Sequence, residues 1–168
     1  MIMNLQFYLE KLNDSDEFGD FIRENPKAYF CSGFFVIDKE KNDNKTHLDF
    51  FNPNNGNIFS FQLEEEIKVV SLENSGNRVL EEISRETEVE FMEIEKLILA
   101  EMEKQKVNGK IQKIILSIQK NSGETLLAGT VFLSMFGLLK VSISIPKGEI
   151  KEFEKKSFFD IVSFGKKK

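Results

Sequence analysis

Residues 125–139 form the longest uncharged stretch of the chain, 15 residues closed by Lys140. A helix needs roughly 20 apolar residues to cross hydrocarbon, so this stretch reads as a buried strand pair and no membrane span is expected. Residues 126–133 are apolar on both faces when read with a period of two, and such a strand demands cover from both sides. A helix supplies one cover. The other is expected from a second part of the chain, with a partner chain or a ligand as the alternatives. Phe136 and Gly137 mark the reversal, where an aromatic has little reason to be internal.

The rest of the chain fits around this hairpin. Leu5, Tyr8, Leu9 and Leu12 fall at helical spacing, and Asp14 with Glu17 resembles a capping box opening a second short helix through Phe18, Phe21 and Ile22. Asn25-Pro26 stops it, because the residue before proline avoids the helical region. Strands are predicted over 28–37, 46–52, 57–63 and 67–72, with turns at Asn52-Pro53-Asn54-Asn55-Gly56 and Asn74-Ser75-Gly76-Asn77. Val79, Leu80 and Ile83 predict a short helical stretch, and Thr87 with Glu90 a second capping box ahead of Phe91, Ile94, Leu97, Ile98 and Met102. After Asn108-Gly109 the pattern is β again, over 111–119, 125–134, 138–145, 149–155 and 158–164.

Helix, strands, helix, strands invites self-comparison. An offset of 92 lays Gly56 on Gly148, Ile58 on Ile150, Phe61 on Phe153, Val70 on Val162 and Ser71 on Ser163, five identities in 17 positions. At an offset of 96 Gly33 falls on Gly129. These are turn and core positions, so the expectation is an internal duplication: residues 1–76 as one helix-plus-meander repeat and 77–168 as the other. The predicted fold class is α+β, two such units packed as one body on a core rich in phenylalanine, of which the chain has 17.

Residues 97–106 as helix, 110–119 as strand, and Val141-Ser-Ile-Ser-Ile-Pro-Lys-Gly-Glu-Ile150 as strand, glycine turn and strand resemble a PepSY-type domain, and residues 29–61 resemble a second, more diverged copy. The resemblance implies a helix on a curved antiparallel sheet and a non-catalytic module, often inhibitory or ligand-binding.

Charge and composition exclude more than they assign. A net charge of −5 works against phosphate backbones, so nucleic acid is not an expected partner. That charge is uneven, −7 over residues 1–85 and +2 over 86–168. One cysteine, Cys31, permits no internal disulfide, and residues 1–8 carry no basic signal-peptide start; both lead to an expected cytoplasmic location. The chain contains no G-x-S-x-G, G-x-x-x-x-G-K-[ST], G-x-G-x-x-G, H-E-x-x-H or paired C-x-x-C, and neither an enzymatic role nor a cofactor is expected.

Weaker candidates read as ordinary structure. His47, the single histidine, shares a strand face with Asp49 two residues on and is taken as part of a half-exposed polar face, not a metal ligand. Glu64-Glu65-Glu66 alternates its side chains between faces and reads as a solvated bend, and Cys31 as an inert small hydrophobe. The expected function is a non-enzymatic binding module for a protein or peptide partner, its site on the sheet at Thr130, Phe132 and Phe136. The alternatives are a structural protein forming a homodimer through an apolar sheet face and, third, a carboxylate-dependent hydrolase.

Overall fold

The computed structural model describes residue 2, residues 4–145 and residues 147–157. Two short helices, α1 (Leu5–Asn13) and α2 (Asp16–Glu24), lead into strands β1 (Tyr29–Asp38), β2 (Lys45–Phe51), β3 (Ile58–Gln62) and β4 (Lys68–Leu72). A long connection reaches α3 (Phe91–Lys104), and β5 (Ile111–Asn121), β6 (Glu124–Leu133), β7 (Gly137–Ser144) and β8 (Glu149–Ser157) follow. All eight strands belong to one antiparallel sheet in the order β4-β3-β2-β1-β5-β6-β7-β8. The fold is α+β: two consecutive meanders joined edge to edge, β1 against β5.

The local signals are mostly obeyed, and the departures have physical causes. Ser15, not Asp14, caps α2, its side chain accepting the Phe18 N–H at 3.2 Å. The capping box predicted at Thr87 is absent, because the Thr87 hydroxyl is spent on the Ser84 carbonyl at 2.6 Å and α3 begins at Phe91 with no side-chain cap. Residues 79–83 are not helical. Ile83 lies fully buried, its N–H donating to the Phe30 carbonyl at 2.8 Å, so pairing with the margin of the sheet replaces the helix. The strand predicted over 158–164 lies outside the described residues.

One face of the sheet carries the core. Phe35, Leu48, Phe50, Phe61, Leu116, Leu127, Val131 and Leu139 are buried there with the apolar stripes of all three helices in one continuous cluster. Phe18 and Phe21 of α2 stack on Phe50 and Phe61, with ring centroids between 4.9 and 6.3 Å, and Phe91 of α3 meets Phe35 at 4.7 Å. Arg85, on the connection, lays its guanidinium over Phe18 and Phe50 at 5.2 and 5.3 Å, closing the rim of the cluster through cation–π contact.

Two-sided cover of β6 is not what the fold provides. Leu127, Val131 and Leu133 point into the core, but Leu126, Ala128, Thr130 and Phe132 lie on the opposite face, half-buried or exposed. The first meander extends the sheet sideways and lays no layer over it. The glycine turns at Gly56 and Gly148 share a backbone conformation, with φ of 75° and 62° and each amide bonded to the carbonyl four residues back. Their places differ: Gly56 closes the second hairpin of its meander and Gly148 the third, so the offset of 92 lays β2 on β7 and β3 on β8.

Candidate functional site

The open face of the sheet has two chemically distinct ends. In the first meander Asp49 on β2 lies between Ser32 of β1 and Ser60 of β3 in register. Ser32 Oγ donates to Asp49 Oδ2 at 2.7 Å, while Oδ1 is buried and makes no well-formed hydrogen bond. Burial pushes the Asp49 carboxyl above its ordinary range, against the pull of Ser60, Ser32 and His47. Cys31, a bulged residue behind this rung, donates its thiol to the Asp49 carbonyl at 3.4 Å, and burial raises it to about 12. It remains a thiol, as its aromatic strand suggests.

His47 does share a face with Asp49, but its partner is Glu64, with Nε2 2.6 Å from Oε1, and its ring lies 5.6 Å from that of Phe34. The face is more enclosed than a polar strand surface, because the β3–β4 turn folds Glu64 back over β2. The acidic triplet is therefore not uniformly solvated: Glu64 is tied to the sheet, and Glu65 and Glu66 are exposed. Among the described residues no three His, Cys, Asp or Glu side chains are placed to hold a metal ion.

In the second meander the same face is apolar with a charged rim. Ala128, Thr130, Leu138, Lys140, Ser142 and Glu152 line a groove of about 420 Å³ across β6, β7 and β8. Lys140 and Glu152 pair across its margin at 3.5 Å. Gly129, beside Thr130, lets the backbones of β5 and β6 come together: a Cβ there would stand 1.8 Å from the Ile115 carbonyl oxygen. One rung toward the β6–β7 reversal, Lys113, Phe132, Leu138 and Lys156 follow one another across four strands.

Of the residues singled out from sequence, Thr130 lines the groove, Phe132 lies on the rung beside it, and Phe136 stands at the hairpin tip, 73% exposed. Ser142 and Glu152 went unnoticed, although the alternation Leu139-Lys140-Val141-Ser142 already separates an outward polar face from a buried one. Ser32 and Ser60 carried no local signal, because each matters only through its cross-strand neighbour.

Among the described residues no helix is long and apolar enough to cross a membrane. No family model matches the chain, and no curated protein matches it. A solved structure from Clostridium difficile 630, described as a "putative lipoprotein", is similar at a TM-score of 0.54 and 13% identity, covering 84% of this chain and 91% of that one. At that identity the likeness is one of fold: an antiparallel sheet with helices of this overall arrangement.

Proposed function

We propose that the chain is a non-enzymatic binding module that takes a protein or peptide ligand on the open face of its second meander. The observation that carries this reading is the groove itself, an apolar floor at Ala128 and Leu138 with Thr130 and Ser142 for hydrogen bonding and Lys140 and Glu152 at the rim, on a face that no helix covers among the described residues. A small number of polar groups around an apolar concavity is the usual composition of a ligand site. Buried Cys31 suits the reducing cytoplasm, which we propose as the compartment.

The tandem reading supports a module built by doubling, as a pair of PepSY-like units over residues 1–76 and 77–168. Each first strand carries a bulge, at Cys31 in β1 and at Gln112 in β5. Gln112 follows Cys31 by 81 residues, and Leu116 follows Phe35, its cross-strand partner, by the same 81. This alignment lays β1 on β5 and β2 on β6, where the offset of 92 lays β2 on β7, and it sets Asp49 on Phe132, so the open faces of the two halves differ in chemistry.

The test is a displayed-peptide library panned on the full chain beside Thr130→Tyr, which fills the groove. Peptides that bind the wild type and lose tenfold or more on Thr130→Tyr support the reading; no enrichment overturns it. Size-exclusion with light scattering on the same pair addresses self-association, which a dimer dissolved by Thr130→Tyr would favour.

A further inference from the structure

The most exposed large apolar side chains of the second meander are neighbours at one hairpin tip: Met135, 92% exposed, and Phe136, 73% exposed. Both have left-handed backbone, φ 62° and 61°. Left-handed positions suit glycine, asparagine and aspartate, whereas bulky residues there carry a conformational cost. The sequence thus places large hydrophobes in water, at positions where small polar residues would fold better. Such a pair is hard to explain by stability and easy to explain by contact with something apolar.

The surroundings of the tip are basic. Ser134 and Lys110 exchange two hydrogen bonds, the Ser134 N–H to the Lys110 carbonyl and the Lys110 N–H to Ser134 Oγ, both at 2.9 Å, which brings the start of β5 to the reversal. Lys113 lies across from Phe132, Lys156 across from Leu138 and Lys155 across from Leu139. Lys106 sits on the loop between α3 and β5, and the acids nearby are Glu103, Glu154, which pairs with Lys156 at 4.0 Å, and Asp38, the cross-strand partner of Lys113. The chain as a whole is negative, but at physiological salt charges beyond about 8 Å are largely screened, so an approaching surface meets the lysines first.

We propose that the β6–β7 tip docks on an anionic lipid surface, with Met135 and Phe136 entering the headgroup–acyl boundary and the surrounding lysines lying against the phosphates. Two such collars repel, which disfavours pairing of two copies tip to tip. A bilayer surface yields around a protrusion, and lysines close to an anionic leaflet are attracted to it. Apolar insertion and charge together are the two signals that stable peripheral binding needs. This goes beyond the groove reading and does not depend on it.

The test is co-sedimentation of the full chain with vesicles of mixed phosphatidylserine and phosphatidylcholine, and with phosphatidylcholine alone. Binding is expected to the mixed vesicles only, falling as salt rises. The variant Met135→Asn with Phe136→Gly places residues suited to left-handed backbone at the tip, so its melting temperature should equal or exceed the wild type while its vesicle binding drops tenfold or more. Thr130→Tyr should bind vesicles like the wild type, which separates this idea from peptide capture in the groove. Unchanged binding by the tip variant overturns the proposal, because lysines elsewhere would then suffice. Equal binding to both vesicle types, or to neither, also overturns it, as would a dimer that forms through the tip in place of lipid binding.

Discussion

The Ser32 hydroxyl donates to Asp49 Oδ2 at 2.7 Å across the β1–β2 pair, and the other Asp49 oxygen is buried and makes no well-formed hydrogen bond. Ser32 and Ser60 thus flank a carboxyl that burial keeps toward its neutral form. Because the folded-state value is raised above the unfolded one, the folded chain holds this proton more tightly. The stability contributed by Asp49 therefore rises as pH falls through its elevated value toward the ordinary carboxylate range, and is lost as pH climbs above it. Asp49→Asn keeps an acceptor for Ser32 and removes the charge. Its melting temperature should exceed the wild type at pH 8, and the two should converge near pH 4. A lower melting temperature at pH 8 would mean that the ionised form is the stabilising one.

His47 belongs to the fold more than its sequence context suggests. With Glu64 at 2.6 Å and the Phe34 ring beside it, His47→Ala should cost about 1 kcal/mol in urea denaturation, above the range of about 0.5 kcal/mol for surface changes. A double-mutant cycle with Glu64→Gln should return a coupling of about 0.5 kcal/mol. Additivity within error would show that the pair contributes nothing and that the ring contact alone holds His47.

Two strand glycines that align in sequence should respond differently to alanine. At Gly33 an added Cβ meets side-chain atoms, Ile118 Cγ2 and Phe35 Cζ at 3.0 Å, which can shift. At Gly129 it meets the Ile115 carbonyl oxygen at 1.8 Å, and that backbone is pinned in the β5–β6 ladder. Gly129→Ala should cost more than about 2 kcal/mol, and Gly33→Ala clearly less. Denaturation midpoints of the two variants decide it; equal losses would show that the sheet relaxes at Gly129.

Phe136 and Phe50 mark the extremes of phenylalanine use in this chain. Phe50 is buried against Phe18, Phe21, Phe30 and Phe61, and Phe50→Ala should cost about 3–5 kcal/mol. Phe136→Ala should stay within about 0.5 kcal/mol, because its ring is mostly in water. Thermal melts of both variants test this, and a large loss at Phe136 would place the tip among the structural contacts.

The local punctuation of this protein is written in short runs of residues. Asn25-Pro26 and the Asn-rich turn at Gly56 end or reverse the chain where the structure does, because proline, glycine and asparagine restrict or permit backbone angles whatever lies around them. The amphipathic stripes of α1, α2 and α3 were legible for the same reason, as was an exterior Phe136 beside a reversal. Where two capping residues stand side by side, as at Asp14 and Ser15, local preference no longer decides and the direction of chain entry does. That the meanders meet edge to edge at Phe35 and Leu116 is a property of the assembled sheet. Strand-to-strand hydrogen bonds run through backbone atoms that every residue shares, so no side chain advertises which edge will be joined. The candidate site followed from that joining. Asp49 met Ser32, His47 met Glu64, and the groove opened beside Thr130 because a sheet widened sideways keeps one face free of helices.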